Sequence, residues 1–167
     1  MKVELCFFII LFSFFSCKGP GKRNIIDIKI NNDSIFSSVL KEKVTLKTFP
    51  DNFFELNGID EWDSFENFQD TVEGISELNP NSLDVFLLGL SVKIEKLEKS
   101  EFPEIFDKPQ ILSRLKLIRM QTLKARYFTE FYTKDSIKPA LSELYIYYNA
   151  LIDRMISITE EDLSKNF

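Results

Sequence analysis

Acidic side chains recur at intervals of three and four residues in one stretch of the chain, at Glu66, Asp70, Glu73 and Glu77. At 100° per residue, these four carboxylates fall within about 60° of one another around a helix. Like charges at this spacing repel each other by roughly 0.2–0.5 kcal/mol, so something must offset the repulsion. Such a stripe is typical of a solvated acidic face, a cation site or a surface that docks a basic partner.

The residues that a metal site needs are missing around this stripe. The chain has no histidine, so it cannot contain the Glu-x-x-His pattern of di-iron helical bundles. The acidic segment 60–63 has neither the spacing nor the glycine of a calcium-binding loop. We therefore expect no metal ion and no cofactor.

Negative and positive charges occupy different parts of the chain. Ten acids and no base lie between residues 49 and 92, whereas six bases and no acid lie between residues 108 and 129. We predict that the acidic face is mainly solvated and that two of these bases, Arg119 and Arg126, neutralise it in part. The same face remains a candidate surface for a basic partner.

Aromatic side chains form a second candidate site. Tyr127 and Phe131 lie near the end of one predicted helix, and Tyr145 and Tyr148 lie in the next one. Because the first helix ends where the second begins, we expect these groups within about two turns of one hairpin tip. There they would line a cleft for a hydrophobic or sugar ligand. The alternative is that they belong to the core, with their hydroxyls reaching solvent.

Composition excludes several functional classes. Without histidine, the chain cannot form a Ser-His-Asp or Cys-His nucleophile system. Two cysteines are too few for a zinc site, and a formal net charge of −5 argues against nucleic-acid binding. The carboxylates lie on a regular helical stripe and not in an aromatic cleft, which argues against a glycosidase. We expect neither catalysis nor a nucleic-acid partner.

Four helices must position these groups. Apolar residues recur every three or four positions in four stretches, residues 62–75, 83–97, 111–131 and 137–158. The links near residues 79–81 and 133–135 are too short for anything but antiparallel neighbours. The sequence therefore predicts a mostly α fold, an antiparallel four-helix bundle made of two helical hairpins.

The third helix is predicted to lie between two others. It has one apolar stripe that begins at Ile111 and a second that contains Leu112, Leu123, Tyr127 and Phe131. A helix that is apolar on two sides is expected to have a neighbour on each. Before the helices, a short N-terminal mixed segment alternates apolar and polar residues around Ile28, which predicts one short strand.

An apolar run of eleven residues, 5–15, lies near the start of the chain. A transmembrane helix needs about 20 such residues, whereas the apolar part of a secretory signal has about 7 to 15. We therefore interpret residues 1–16 as a signal peptide. The run is followed by Ser16-Cys17, and no Ala-x-Ala-like cleavage site occurs near its end.

This Ser16-Cys17 pair resembles the lipobox of bacterial lipoproteins, in which a small residue precedes a cysteine. The resemblance implies that Cys17 is lipidated on sulfur, becomes the first residue of the mature chain and is acylated on its amine. Phe14 and Phe15 depart from the family pattern, which usually has an aliphatic and a small residue there. The match covers residues 1–17. The alternative is an ordinary cleaved signal that leaves Cys17 unmodified.

Composition adds a weaker resemblance. The richness in Phe, Ile, Lys and Asn and the phenylalanine-rich signal are similar to those of helical lipoproteins of Bacteroidota. Surface-exported members of that group usually carry acids after the cysteine, and the segment 18–21, Lys-Gly-Pro-Gly, departs from this. The resemblance therefore implies the cell envelope, with lipidated Cys17 holding the protein at the periplasmic face of the outer membrane.

We thus predict five parts in the chain: a signal peptide (1–16), a lipidated cysteine with a flexible tether (17–24), a mixed segment (25–57), a four-helix domain (58–160) and a C-terminal tail (161–167). We expect a non-catalytic domain that binds an envelope protein or acts as a structural tether. The alternative is a ligand-binding or sensory four-helix module with an aromatic-lined cleft. An exposed apolar patch would favour partner binding, and an open apolar groove at the aromatic tip would favour a ligand.

Overall fold

The computed structural model describes residues 45–78, 82–130 and 134–165. The α-helices in these ranges are α1 (Phe53–Asn57), α2 (Asp63–Glu73), α3 (Leu83–Lys99), α4 (Pro109–Glu130) and α5 (Lys134–Lys165). A 3-10 helix, Gly74–Glu77, directly follows α2. The fold is mostly α, as predicted. The strand predicted around Ile28 and the signal peptide lie outside the described residues.

Helices α2 and α3 form the first hairpin. At one end, the indole Nε1 of Trp62, directly before α2, donates to Ser100 Oγ, directly after α3, over 3.1 Å. Further along, Lys93 Nζ of α3 donates to Thr71 Oγ1 of α2 over 2.6 Å. Because the start of α2 meets the end of α3, the two helices are antiparallel.

Helices α4 and α5 form the second hairpin, which packs onto α3 through α4. Arg126 near the end of α4 lies 2.9 Å from Asp84 at the start of α3. Gln110 at the start of α4 accepts a hydrogen bond from Arg154 in the second half of α5 over 2.5 Å. Helix α4 is therefore antiparallel to both neighbours, and its predicted place between two helices is confirmed.

Side chains of α2 and α5 complete the bundle. Phe68 and Tyr148 are fully buried, and their ring centroids lie 5.9 Å apart. The predicted apolar seams of α3 and α5 are buried along their whole lengths, at Leu83, Leu87, Leu90, Ile94 and Leu97, and at Ile137, Leu141, Leu144, Tyr148, Leu151, Met155 and Ile158. The predicted helical bundle is thus confirmed, with one core between its four long helices.

The residues before α2 contact α5 and the core. Asn149 of α5 accepts a hydrogen bond from the Lys47 backbone N–H over 2.9 Å and donates to the Thr45 carbonyl over 3.0 Å. The short helix α1 then contributes Phe53 to the core. It ends at Gly58, whose φ of 64° is the left-handed conformation that glycine adopts without steric cost. These contacts hold the described part of the mixed segment against the bundle.

Helix α5 is the longest described helix, with 32 residues. It begins at Lys134, one residue before the predicted start, so Pro139 lies in the second turn and not in the first. Like the other helices of the described ranges, it lacks the long apolar stretch needed to cross a bilayer.

Candidate functional site

The acidic stripe lies on the solvent side of α2. Glu66, Asp70 and Glu73 are exposed, and Gln69 Nε2 donates to Glu73 Oε1 over 2.9 Å. The α-helical geometry ends at Glu73, where the 3-10 helix begins. The predicted 100° spacing therefore does not extend to Glu77, whose side chain lies outside what the structure describes.

A depression of about 350 Å³ borders this stripe. It is lined by Phe54, Ile59, Asp60, Glu66, Gln69 and Asp70. Nowhere in the described ranges do three acidic or cysteine side chains converge closely enough to hold a metal ion.

Arg119 and Arg126 do not pair with this stripe, contrary to the expectation from the sequence. Arg119 lies 2.7 Å from Glu95 and 3.6 Å from Glu98, and Arg126 lies 2.9 Å from Asp84. All three acids belong to α3, and the arginines reach them because α4 packs against α3 and α5. The arginines therefore help to fix the register of α4 on α3 and do not neutralise Glu66 or Asp70 of the stripe.

Neutralising the stripe with Glu66→Gln and Asp70→Asn together should leave the melting temperature level or raise it slightly in low salt. The change removes a repulsion of about 0.2–0.5 kcal/mol, and neither carboxylate has an ion-pair partner among the residues described. Salt should shrink the gain. As a control, Glu95→Gln should lower the melting temperature, because Glu95 pairs with Arg119 and Lys99.

Melting curves with and without EDTA check this expectation. EDTA should have no effect on the unchanged protein. If the double substitution cost more than about 2 kcal/mol and EDTA reproduced the loss, the stripe would be a metal site.

The aromatic residues predicted to line a cleft have different environments. Tyr148 is fully buried, Tyr145 is 8% exposed and Tyr127 is 55% exposed. Phe131 lies outside the described residues. Tyr145 and Tyr148 thus belong to the core, as in the alternative interpretation, but the Tyr148 hydroxyl is buried and does not reach solvent as that interpretation expected.

The register of α4 and α5 also separates Tyr127 from Tyr148. Gln121 Nε2 donates to the Ala140 carbonyl over 2.9 Å, so Tyr127 lies level with the first turns of the antiparallel α5. Tyr148 is about three turns further along α5, roughly 16 Å at 1.5 Å per residue. The described residues therefore do not assemble the predicted cleft.

Burial makes both core tyrosines weaker acids. It raises the pKa of the Tyr145 phenol to about 12. Burial, together with the negative charge of Glu73, also raises the pKa of Tyr148. The Tyr148 hydroxyl is buried and has no hydrogen-bond partner among the described groups. A buried polar group without a partner costs about 1–3 kcal/mol.

Tyr148→Phe should therefore leave stability unchanged or raise it at pH 7, because the ring stays and the unpartnered hydroxyl goes. It should also reduce the loss of stability in alkali. The phenol has a higher pKa in the folded state than its unfolded value of about 10. Its ionisation therefore does not affect the free energy of unfolding below pH 10, and it lowers that free energy as the pH rises above 10, because the unfolded chain ionises more readily. Urea denaturation at pH 7 and pH 10.5 measures both effects. A loss above about 1 kcal/mol at pH 7 would mean that the hydroxyl has a partner.

A groove of about 600 Å³ lies where the start of α4 meets the end of α5. Arg154 is one of its two basic lining residues, and its guanidinium already donates to Gln110 over 2.5 Å and to Glu161 over 2.7 Å. Glu104 and Asp162 add negative charge to the walls. Lys108 also lines the groove, but three acids, Glu104, Glu161 and Asp162, outnumber its two bases, and this negative balance disfavours an anion site.

An exposed apolar surface on α3 and α4 is the other distinctive feature of the bundle. We refer to it as the α3–α4 face, and it consists of Val85, Leu88 and Val92 on α3 and Met120, Leu123 and Tyr127 on α4. Each of these large side chains is at least 42% exposed. Contiguous apolar patches of several hundred Å² on a folded domain mark interaction sites.

Two ion pairs show that the six side chains share one side of the bundle. On each helix, the three apolar residues lie within about 60° of one another. Going around α3 from its core side, Asp84 and Glu95 come first and the three apolar residues come next. On α4, Arg126 and Arg119 come before the three apolar residues in the same way. The two ion pairs therefore lie between the core and the face. Because they join the start of α3 to the end of α4 and the reverse, they also place the apolar residues of α3 opposite those of α4.

Only part of this surface is predictable from the sequence. Leu123 and Tyr127 belong to the second apolar stripe of α4, which was expected to be covered by a neighbouring helix. In the structure, α3 and α5 cover the first stripe, and these two residues are exposed. On α3, the sequence does contain a sign of this surface, because Val85 and Val92 are apolar and lie outside the apolar seam that faces the core.

The chain matches no protein-family model, and comparisons with curated proteins and with solved structures return no significant match. Two features of this chain itself therefore bear on its function. These are the lipobox-like segment that ends at Cys17 and the α3–α4 face.

Proposed function

We propose that the protein is a lipoprotein of the bacterial cell envelope whose helical domain acts by binding another protein, without catalysis. Lipidated Cys17 anchors it at the periplasmic face of the outer membrane, after removal of the signal peptide 1–16. Two or more acyl chains are sufficient for stable anchoring, at about 0.8 kcal/mol per buried methylene group. The tether 17–24 then connects the anchor to the rest of the chain.

The α3–α4 face is the observation on which the binding role depends. Single exposed apolar side chains are normal on soluble proteins, but here six of the ten large exposed ones among the described residues lie on one face. Burying such a surface away from water gives a stabilising free energy of about 25 cal/mol per Å² of apolar area. A protein partner that covers it supplies this stabilisation, whereas an uncovered face promotes aggregation.

Cys17→Ser should abolish lipid labelling and release the protein from membrane fractions. The eleven apolar residues of the signal are too short to span the bilayer as a replacement anchor. Metabolic labelling with a fatty acid and fractionation of cells that express the full chain measure the two effects. Cys6→Ser, which lies within the predicted signal, is the matched control and should keep both. A Cys17→Ser chain that is still processed and membrane-bound would contradict the anchor.

The binding role has its own test. A photo-crosslinking amino acid at Val92, on the α3–α4 face, should produce a discrete protein adduct in cells. The same amino acid at Ile146, which is 58% exposed on α5, is the control and should produce none. Absence of adducts from Val92 would contradict protein binding through this face.

A further inference from the structure

Helix α5 binds a segment of the same chain by its main chain. Residues 45–49, Thr-Leu-Lys-Thr-Phe, belong to no helix or strand. The side-chain carbonyl of Asn149 accepts from the Lys47 N–H over 2.9 Å, and its amide donates to the Thr45 carbonyl over 3.0 Å. In an extended chain, these two groups on either side of Leu46 point the same way. Asn149 therefore pairs with the segment as a neighbouring strand would.

Side chains of the segment make this contact selective. Lys47 Nζ donates to both carboxylate oxygens of Asp153, one turn further along α5, over 2.5 and 2.6 Å. On either side of the lysine in the sequence, Leu46 and Phe49 pack against the core. The ring of Phe49 stacks on that of Phe53, with their centroids 4.6 Å apart. The site thus fits an apolar residue, a lysine directly after it and an aromatic ring two positions later.

The contacts that hold the segment on α5 are few and mostly exposed. Leu46 and Phe49 are only partly buried, and the other three residues of the segment are exposed. The side chains of Lys47 and Asp153 are each about half exposed, and such ion pairs are weak in water. A turn with Asn52 at a φ of 60° leads from the segment into α1. The segment can therefore leave α5 without unwinding a described helix.

We propose that this part of α5 is a binding site for an extended segment of a partner protein, and that residues 45–49 occupy it as an internal ligand. The partner segment has the same pattern of an apolar residue, a lysine and an aromatic ring, and it displaces the internal one. Because the internal segment is tethered, its effective concentration is high, and the site stays closed until a partner competes. The site shares no residue with the α3–α4 face, so it goes beyond the proposed function.

Binding of a synthetic peptide to the full chain in detergent tests the proposal. The peptide has the sequence of residues 45–51 and a fluorescent label. Leu46→Ala and Lys47→Ala together weaken the internal segment and leave α5 unchanged. Fluorescence anisotropy should show that the peptide binds this released chain about tenfold more tightly than the unchanged chain, because the internal competitor is weaker. A scrambled peptide of the same composition should bind neither chain.

Three results of this titration would overturn the proposal. They are no binding of the peptide to the released chain, equal affinity for the released and unchanged chains, and equal binding of the scrambled peptide.

Two further changes test the contacts that define the site. In the released chain, Asp153→Asn should weaken peptide binding about threefold, whereas Glu160→Gln, which also removes an exposed acid of α5, should not weaken it. Methylation of the peptide on the amide nitrogen that corresponds to Lys47 should weaken binding about tenfold, because it removes the N–H that Asn149 accepts. Binding that is insensitive to either change would overturn the proposal.

Hydrogen exchange in the unchanged chain makes the test independent of how the variants fold. Excess peptide should accelerate exchange of the Lys47 amide, because displacement of the segment frees this amide from Asn149. The amides of α4 should keep their rates. An unchanged rate at Lys47 would mean that the segment is a fixed part of the fold, and would overturn the proposal. Dimers of the unchanged chain that Asn149→Ala abolishes would show that a second copy supplies the segment, and would overturn its assignment to a different protein.

Discussion

Leu144→Ala should lower the free energy of unfolding by about 2–5 kcal/mol, because it removes a fully buried side chain from the bundle core. The cost has two parts, the lost transfer of the apolar group out of water and the cavity that remains. Leu144 lies midway along the buried seam of α5, so the cavity can close only if a whole helix shifts. Urea denaturation followed by far-UV circular dichroism measures the change.

The matched control for this prediction lies two residues away. Ile146 is 58% exposed on the same helix, and Ile146→Ala removes a side chain of the same size. Its effect should stay within about 0.5 kcal/mol. Similar small losses at both positions would mean that α5 does not pack into the core by the seam that contains Leu144.

The seams of α3 and α5 were predictable because burial imposes a period on the sequence. A helix that hides one face must repeat apolar residues every three or four positions, and Leu83 to Leu97 and Ile137 to Ile158 do so without interruption. The antiparallel arrangement was predictable from the short links between periodic stretches. Both features follow from local sequence, and both are present in the structure.

Partner choice was not predictable in the same way. Arg119 is paired with Glu95 and not with the acidic stripe of α2, because the order of packing places α4 against α3. Charge counts along the chain contain no information on which helices touch. The 3-10 helix that begins at Gly74 was not predictable either, because a helical wheel assumes α-helical geometry along its full length and α2 ends at Glu73.

The α3–α4 face shows the same limit of prediction from the sequence. Periodicity reveals that α4 is apolar on two sides, but it does not reveal whether both sides are buried within one chain. Leu123 and Tyr127 are exposed because three neighbouring helices already enclose the core. An apolar stripe that finds no neighbour inside the bundle is therefore a property of the assembled fold, and it directs the search for a partner to this face.

Helix α2 is the part of the bundle with the least backbone contact to its surroundings. It packs on α3 and reaches α5 through side chains, among them Phe68, whose ring contacts that of Tyr148. The ring centroids of Phe68 and Phe65 also lie 5.9 Å apart, in an edge-to-face arrangement. Since α2 has only 11 residues, its helical structure depends on this packing more than on intrinsic propensity.

Phe68→Ala should therefore destabilise the protein by about 3–5 kcal/mol, and α2 should open more readily than the other helices. Hydrogen exchange of the amides of α2 should accelerate beyond that of α4, because loss of the contact with Tyr148 detaches α2 from α5 while the hairpin of α4 and α5 keeps its own core. Asp70→Ala, on the exposed side of α2, is the control and should change neither stability nor exchange appreciably. Uniform acceleration over all helices would mean that the bundle opens as one unit, and a cost below about 1 kcal/mol would mean that α5 is held without α2.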